Sequence, residues 1–247
     1  MTAIITLLTD FGTADGYVGE VKGVLLSTAP DAMIVDITHE VSAHDVDLGR
    51  LTLARYWRRF PAGTVHLAVV DPGVGSSRAA LAVSSDGRFL VGPDNGVLSP
   101  ALLTPDARAV SLRVPAHASA TFHGRDVFAP AAAQLASGAA LESLGPPLEK
   151  PVIRRTPEPR RTGDGALHGE VIAIDRFGNA ITNLAGVGGS SVVVQNRQVR
   201  IRRTYAELDA GEVGAVVGST GFVEIVVRET RAADVLQLER GTPVTLR

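Results

Sequence analysis

The residues whose types and spacing could do chemistry include a short stretch, Asp71-Pro-Gly-Val-Gly-Ser-Ser-Arg78. Before it lies Val65–Val70, an apolar run rich in β-branched residues, which predicts a buried strand. A carboxylate just after a strand stands where open α/β sheets bind ligands. Arg78 lies seven residues beyond Asp71, so the loop can fold back into a carboxylate–guanidinium pair. We therefore place the chemistry here. A Pro-Gly turn carrying a surface ion pair is the structural alternative.

Similar polar clusters follow other predicted strands of the same half of the chain. Each cluster alone has a structural explanation, because Asp and Asn are common turn residues. Together they are harder to explain in that way, since the carboxyl ends of parallel strands share one edge of a sheet. The clusters are Asp10 with Asp15, Asp71 with Arg78, and Asp94 with Asn95, and His123 lies in a fourth loop.

The order of elements in this half predicts the fold class. Apolar runs typical of strands alternate with helical patterns, which indicates a mainly parallel sheet covered by helices. A hairpin follows at Ser85-Asp86-Gly87. Phe122–Asp126 then opens an alanine-rich helix that reaches Ser137. The predicted strands are Ala3–Thr9, Met33–Ile37 and Val65–Val70, and the helices between them are Tyr17–Thr28 and Asp45–Trp57.

A second domain is predicted after a change in composition. Pro-Pro, Lys-Pro, Glu-Pro and Gly-Asp-Gly interrupt the pattern after residue 146, which is typical of a linker. Beyond the linker, residues alternate as in short antiparallel strands, which indicates a small β-rich domain. We predict an N-terminal α/β domain at residues 1–150, a linker at 151–166 and the second domain at 167–247.

Two loops of the second domain could bind an aromatic ligand. Phe177 lies between Asp175 and Asn179, so a heteroaromatic ring could stack on it and hydrogen-bond to the flanking side chains. An ordinary hairpin loop is the alternative. Ser219 lies in a similar glycine-flanked loop. Strand alternation then places Glu224 and Val226 on one face.

Composition excludes several classes of function. Hydrophobic residues make up 45% of the 247 and charged residues 20%, as in globular domains. A net charge of -2 provides no general attraction to nucleic acid or to an acidic membrane surface. The absence of cysteine excludes disulfides, cysteine-ligated metals and thiol catalysis. We find no basic leader, cleavage site or membrane-spanning run, so we expect a cytoplasmic protein.

The remaining histidines offer a metal site as an alternative. A polar helix start with aspartate caps explains the same residues, and we favour this interpretation over a metal site. We therefore expect neither a metal nor a cofactor. His66 lies inside a predicted strand and is predicted to be a core histidine. No glycine fingerprint for nucleotide phosphates is present. The possible metal ligands are His39, His44, Asp45 and Asp47.

Taken together, the motifs resemble one family over nearly the whole chain, in order and with compatible spacing. It is the S-adenosyl-L-methionine (SAM) hydroxide adenosyltransferase family, the SAM hydrolases related to fluorinating and chlorinating enzymes. The motifs are Leu8-Thr9-Asp10-Phe11-Gly12, Val70-Asp71-Pro72-Gly73-Val74-Gly75 with Arg78, Gly92-Pro93-Asp94-Asn95-Gly96, Phe122-His123-Gly124-Arg125-Asp126 and Asp175-Arg176-Phe177-Gly178-Asn179.

The resemblance implies a fold, an assembly and a reaction. The fold is an α/β sandwich domain followed by a smaller β-barrel-like domain, in a homotrimer with sites between subunits. The reaction is SAM plus water giving adenosine and L-methionine, without metal and with SAM as substrate rather than cofactor.

The resemblance also implies site residues. The family's catalytic triad falls on Asp71, Arg78 and His123. Its ribose ligand falls on Asp10, and its methionine ligand on Asp175. Asp15, Asp94 and Asn95 at the strand ends complete the predicted binding set. The adenine contacts fall on Phe177, Asn179, Ser219, Glu224 and the backbone of Val226.

The chemistry is consistent with these residue types. A sulfonium leaves as a neutral thioether, so the site needs an oriented, partly deprotonated water and no general acid. A SAM halogenase is the rival within the fold, but halogenating relatives carry hydroxyl-bearing residues in place of Asp71 and His123. A non-catalytic SAM or adenosine sensor would keep the same pocket without turnover. A metal-dependent hydrolase would instead use the histidines and aspartates of the metal alternative.

Overall fold

The computed structural model describes residues 2–186 and 189–247 of the chain. The chain forms two compact units, the first ending at Arg154 and the second beginning at Arg155. Each unit encloses hydrophobic clusters of its own. Among the described residues, no helix has both the length and the apolar character needed to cross a bilayer.

The first unit is built on a six-stranded sheet with helices on both faces. Its strands are β1 (Ile4–Thr9), β2 (Met33–Thr38), β3 (Val65–Val69), β4 (Ala80–Ser85), β5 (Arg88–Pro93) and β6 (Arg108–Ser111). Its α-helices are α1 (Tyr17–Thr28), α2 (Val46–Tyr56), α3 (Ser99–Leu102) and α4 (Ala129–Ala136). Shorter turns are 3₁₀-helical at Trp57–Arg59 and Leu141–Leu144 and π-helical at Gly124–Phe128.

The topology of this sheet brings three polar clusters to one edge. The strand order is β2-β1-β3-β5-β4-β6. Strand β1 pairs in parallel with β2 and β3, β3 pairs in parallel with β5, and β4 is antiparallel to its neighbours. The predicted mainly parallel sheet is therefore confirmed. Because β1, β3 and β5 run in the same direction, Asp10, Asp71 and Asp94 all lie beyond their carboxyl ends.

The central strands are apolar on both faces because helices cover both faces. On one face, Leu25 of α1 packs in the same cluster as Leu67 of β3. On the other face, Leu53 of α2 packs with Ala68 of β3. Near-continuous hydrophobic runs are typical of parallel strands buried in this way. The first unit is thus an α/β sandwich, as predicted.

His66 of β3 is a core histidine, as predicted. Its side chain is fully buried, and its Nδ1 lies 2.8 Å from the hydroxyl of Thr6. Burial, and to a smaller extent the charge of Arg88, lowers the pKa of His66 to about 4. The ring is therefore uncharged at neutral pH and contributes to the core as a polar but neutral group.

The alanine-rich helix begins differently from the prediction. A π-helical turn spans Gly124–Phe128, and α4 follows only from Ala129. Pro130 gives the physical reason. A proline has no N–H to donate, and its ring clashes with the carbonyl four residues earlier in a regular helix. The wider turn before it avoids that clash.

The second unit is a β-barrel-like domain, as predicted. Seven strands form a closed ring in the order β14-β10-β11-β12-β13-β9-β8, because β14 also pairs with β8, and β7 is attached to β8 at the side. The strands are β7 (Arg160–Arg161), β8 (Leu167–Ile174), β9 (Ala180–Ala185), β10 (Ser191–Val194), β11 (Arg197–Arg202), β12 (Val213–Val217), β13 (Phe222–Val227) and β14 (Pro243–Leu246). A 3₁₀ turn lies at Tyr205–Glu207, and the short helix α5 spans Ala232–Val235.

One pairing of this ring differs from the prediction of antiparallel strands. Strands β11 and β12 are parallel, with Ile201 opposite Ala215. The intervening residues 203–212 carry the chain back along the barrel before β12 begins. The interior contains Val199, Ala215 and Ile225, which pack in one cluster.

The predicted linker segment 151–166 makes ordered contacts at both of its ends. Val152 donates its N–H to Oδ1 of Asp94 at 2.7 Å, and Arg154 donates its N–H to Oγ of Ser99 at 2.8 Å. Further along, β7 pairs with β8.

Candidate active site

The predicted pair of Asp71 and Arg78 forms and is buried. Nε of Arg78 donates to Oδ1 of Asp71 at 2.9 Å, and Nη2 donates to Oδ2. Only 9% of the Arg78 side chain and 6% of the Asp71 side chain are exposed. Two parallel hydrogen bonds between ionised groups give both strength and fixed geometry. The alternative of a turn with a surface ion pair is therefore wrong.

The loop between these residues requires glycine at one position. Gly75 has φ +76°, and a Cβ there would lie 2.4 Å from the carbonyl oxygen of Ala120. Only glycine adopts this conformation without strain and tolerates so close an approach. The Asp71 loop thereby packs directly against the segment that leads to His123.

His123 completes the cluster as a hydrogen-bond acceptor. Its Nδ1 lies 2.9 Å from Nη2 of Arg78. A guanidinium has donors only, so Nδ1 must accept and the neutral ring carries its proton on Nε2. Burial, and then the Arg78 charge, lowers the pKa of His123 below its ordinary value, although Asp71 and Asp126 oppose this shift. His123 is therefore a neutral N–H donor toward any group beside Nε2.

A cavity of about 260 Å³ lies beside this cluster in the first unit. Three predicted residues, Asp10, Asp71 and His123, contribute to its wall. Three aromatic rings, whose centroids lie 5.3–6.4 Å apart in edge-to-face pairs, form another part of the wall. The lining residues are Asp10, Phe11, Tyr17, Ala43, His44, Val69, Asp71, Val74, Thr121, Phe122, His123 and Gly124.

The aromatic rings and His44 were not among the cavity residues predicted from the sequence. His44 has φ +67°, which is uncommon for a residue other than glycine, and donates its N–H to Oδ2 of Asp10 at 2.9 Å. Its backbone therefore orients the Asp10 carboxylate. The sequence did contain a signal for the aromatic wall, because Phe11 follows Asp10 and Phe122 precedes His123.

The other strand-end residues lie outside the cavity lining. Asp15 is exposed in the turn before α1. Asp94 accepts the N–H of Val152, and burial raises the pKa of its carboxyl. Asn95 donates to the carbonyl oxygen of Val70 at 2.8 Å, so it fixes the residue that precedes Asp71. Contacts of these three residues with a ligand remain predictions.

The residues of the metal alternative have other partners. His39 lies 2.8 Å from the hydroxyl of Thr9 through Nδ1 and 3.1 Å from Asp36 through Nε2. Asp45 caps α2 by accepting the N–H of Leu48, as the aspartate-cap interpretation predicted. Asp47 pairs with arginines. Within residues 2–186 and 189–247, no three His, Asp or Glu side chains are grouped to hold a metal ion.

In the second unit, Asp175 and Asn179 hold one loop together. Asp175 accepts the backbone N–H of Asn179 through Oδ1 at 2.9 Å and its Nδ2 through Oδ2 at 3.0 Å. Asn179 is buried, whereas Phe177 at the loop tip is 75% exposed. The tip therefore presents an aromatic ring on a fixed loop.

Glu224 and Val226 lie on one face of β13, as strand alternation predicted. This face points away from the barrel interior, where Val223 and Ile225 pack. Val226 is covered by Leu208 and Val216. Glu224 is nearly buried and accepts a hydrogen bond from the Tyr205 hydroxyl at 3.2 Å. Burial, and then the Glu224 charge, raises the pKa of Tyr205 to about 12. Tyr205 was missed because it lies in a turn far from any predicted motif.

The Ser219 loop approaches Glu224 closely. A Cβ on Gly218 would lie 1.8 Å from Oε1 of Glu224, so this glycine lets the loop pass beside the carboxylate. Ser219 itself lies in the tight turn closed by the hydrogen bond from the Gly221 N–H to the Gly218 carbonyl. Ser219 and Glu224 thus belong to one surface region.

Comparison with known proteins identifies the family. The model of the SAM hydroxide adenosyltransferase N-terminal domain matches residues 5–145, and that of the C-terminal domain matches residues 169–245. The chain belongs to the SAM hydroxide adenosyltransferase family. The resemblance seen in the sequence motifs is therefore confirmed.

Relatives within and near this family differ in their named activities. A Thermus thermophilus protein named (R)-S-adenosyl-L-methionine hydrolase is 43% identical, with 98% of each chain covered. A protein of Actinopolyspora mzabensis named fluorinase is 30% identical, with 98% of this chain and 96% of that one covered. A crystal structure of an uncharacterized conserved protein from Thermotoga maritima superposes with a TM-score of 0.88 at 33% identity, covering 100% of this chain and 99% of that one.

The geometry of His123 generates a prediction that needs no substrate. Protonating this ring would place an N–H on Nδ1 against the Arg78 donor, so we expect His123 to titrate below pH 6.5. Its nitrogen chemical shifts at neutral pH should report the tautomer with the proton on Nε2. The signal is assigned by its loss in His123→Gln, with exposed His117 as internal comparison. A neutral tautomer protonated on Nδ1, or a midpoint above 6.5, would contradict this arrangement.

Proposed function

We propose that the protein hydrolyses SAM to adenosine and L-methionine by attack of water on C5′ of the ribose. The observation that carries the proposal is the buried Asp71–Arg78 pair joined to a neutral His123 at the wall of a cavity. The named activity of the Thermus thermophilus relative supports the same reaction. Because that name specifies the (R)-sulfonium form, we extend the proposal to this form of SAM.

The proposed mechanism begins with a water held between Asp71 and His123. Nε2–H of His123 donates to the water oxygen, which leaves a lone pair free to attack. Asp71 uses one lone pair of each oxygen for Arg78, and a carboxylate retains further acceptor sites for the water proton. The water is thereby oriented before reaction, which is the main requirement when the leaving group departs as a neutral thioether.

Bond formation and bond breaking then occur in one displacement. The water oxygen forms a bond to C5′ as the C5′–S bond breaks and its electron pair returns to sulfur. The water proton passes to Asp71 and later to solvent. Attack on a sulfonium by a partly anionic water reduces charge separation, so a cavity that excludes bulk water favours the reaction. Neither a metal nor a cofactor takes part in this scheme.

Binding of the substrate is proposed for residues of both units. Asp10, oriented by the His44 N–H, binds the ribose hydroxyls. Phe177 stacks on the adenine, with Asn179 and Glu224 among the polar groups at its edge. Asp175 binds the methionine end. Asp15, Asp94, Asn95, Ser219 and the backbone of Val226 complete the proposed set.

We also propose the assembly and the location of the protein. The proposed ribose and adenine ligands belong to different units, and the family resemblance points to a homotrimer with sites shared between subunits. The first domain, linker and second domain are proposed at 1–150, 151–166 and 167–247. A cytoplasmic protein without nucleic-acid or membrane partners agrees with the small net charge of -2.

A SAM halogenase is the second candidate, because a fluorinase is 30% identical. The buried Asp71 carboxylate disfavours it. At about 4 Å and an effective dielectric constant of about 20, two like charges repel by about 4 kcal/mol. Arg78 offsets only part of this repulsion because it is already paired with Asp71. Water carries no charge and gains a hydrogen bond to the carboxylate.

The first test compares the products formed from SAM under four conditions. We expect adenosine and methionine in equal amounts, with and without a chelator and with and without high chloride or fluoride. Loss of activity with the chelator would support a metal-dependent hydrolase. A 5′-halogenated deoxyadenosine as a major product would establish a halogenase, and tight binding without turnover would establish a sensor.

A second prediction concerns the charge of Asp71. Asp71→Asn keeps the shape but removes the proton acceptor, so we expect kcat to fall by about 10²- to 10⁴-fold with little change in KM. The matched control is Asp86→Asn, an exposed turn aspartate that should leave kcat unchanged. Thermal unfolding checks that both variants are folded when assayed. An equal rise in KM would instead make Asp71 a substrate ligand.

A third prediction concerns the shared sites. Asp71→Ala and Asn179→Ala chains should each be inactive alone. Co-assembled in equal amounts, they should recover about a quarter of wild-type activity, because about one site in four then combines an intact Asp71 with an intact Asn179 from a neighbour. Mass spectrometry verifies mixed trimers. Mixed trimers without activity would place each site within one chain.

A further inference from the structure

The π-helical turn Gly124–Phe128 directly follows His123. It is defined by a hydrogen bond from the N–H of Ala129 to the carbonyl of Gly124, five residues earlier. Such turns are rare and frequently lie at functional sites. This turn lies between His123 and the buried helix α4, so its width decides how the residues on either side of it are oriented.

The turn brings His123 and Phe128 onto the same guanidinium. In an α-helix, residues five apart lie about 140° apart around the axis and cannot contact one group together. Here Nδ1 of His123 lies 2.9 Å from Nη2 of Arg78, and the Phe128 ring centroid lies 5.3 Å from Cζ of Arg78. The two rings are themselves edge to face, with centroids 6.4 Å apart.

The contacts of Arg78 are hydrogen bonds at its edges and one cation–π contact. Along the edges it donates to Asp71, to His123 and, at 3.3 Å, to the carbonyl of Ala79. The two bonds to Asp71 fix the geometry of the pair, and packing around the guanidinium adds to this restraint. Cζ of Arg78 also lies over the ring of Phe128, which is fully buried. Cation–π contacts are strongest where water is excluded.

We propose that Phe128 is a positioning residue, held beneath Arg78 by the π-helical turn so that Arg78 presents Asp71 and His123 to the reacting water in fixed relative positions. Phe128 itself touches neither water nor substrate in this scheme. It acts through Arg78, and its contribution is to the rate of the displacement rather than to substrate affinity.

The turn is fastened to the rest of the unit by Arg125 and Asp126. Arg125 donates to both oxygens of Asp126 at 2.6 and 3.0 Å and to Glu20 of α1 at 2.7 Å. Asp126 also accepts the N–H of Ser119 at 2.8 Å. A network of this kind fixes a segment more effectively than one exposed ion pair does. The wider turn is therefore held by side-chain contacts as well as by its own backbone.

The test replaces the ring but keeps an apolar side chain. Phe128→Leu should lower kcat for SAM by about 10- to 100-fold with KM within about twofold, because small misplacement of reacting groups is costly. The matched control is Phe89→Leu, the same change in a half-buried ring that packs on the same hydrophobic cluster away from the site. This control should leave kcat within about twofold.

A second readout in the same variants does not depend on activity. Loss of the Phe128 ring should reduce the burial of His123 and loosen its contact with Arg78. Both changes should move the pKa of His123 upward toward its ordinary value in Phe128→Leu and not in Phe89→Leu, measured by nitrogen NMR. Phe128→Met, which keeps more of the buried volume, repeats both measurements if the leucine variant is unstable. Thermal unfolding is recorded for every variant.

The possible outcomes separate this inference from the proposed function on which its kinetic arm rests. Wild-type protein that does not hydrolyse SAM refutes the function, and the His123 titration still tests the positioning. If the wild type is active and kcat of Phe128→Leu equals that of the wild type, the inference alone is refuted. The same holds if Phe128→Leu and Phe89→Leu lose kcat to the same extent. If both Phe128 variants unfold while Phe89→Leu is stable, Phe128 serves stability and the inference is wrong.

Discussion

The buried ion pair between Asp71 and Arg78 is the interaction on which the rest of the site depends. Removing two charges from water costs several kcal/mol per ion, and attraction offsets this cost only with good geometry and additional hydrogen bonds. Arg78 meets this condition through Asp71, His123 and the Ala79 carbonyl. Asn95 donates a hydrogen bond to the carbonyl oxygen of Val70, the residue before Asp71, and so fixes the start of the loop. The surroundings of the pair are therefore arranged to keep it satisfied without solvent.

The parallel sheet explains how a charged pair comes to lie in such surroundings. Strand β3 is buried along its length and β1 and β5 along most of theirs, including their carboxyl ends, so these ends emerge together from the interior. Side chains that follow these strands meet at one edge, where backbone direction rather than side-chain attraction brings them together. The cavity wall is accordingly part apolar and aromatic and part charged. This combination suits a ligand that carries both a ring system and a positive charge.

Local sequence patterns predicted the elements of much of this structure, but they did not predict contacts between residues far apart in the chain. Helix α1 has the predicted bounds because apolar spacing and flanking turn residues determine them. The Arg78–His123 contact joins residues 45 positions apart and follows from packing that no local pattern encodes. Tyr205 was missed for the same reason. The π-helical turn had a sequence signal in Pro130, but a proline near a helix start usually predicts an ordinary first turn.

The closed ring of the second unit contains an odd number of strands, and this number constrains their directions. Strands that alternate in direction around a ring must be even in number, and this ring has seven, so at least one neighbouring pair has to share a direction. That pair is β11 and β12. A same-direction neighbour cannot be reached by a hairpin and requires a return segment. Residues 203–212 are that segment, and they bring Tyr205 to Glu224 on the outer surface. The odd parity of the barrel thus accounts for one of its polar contacts.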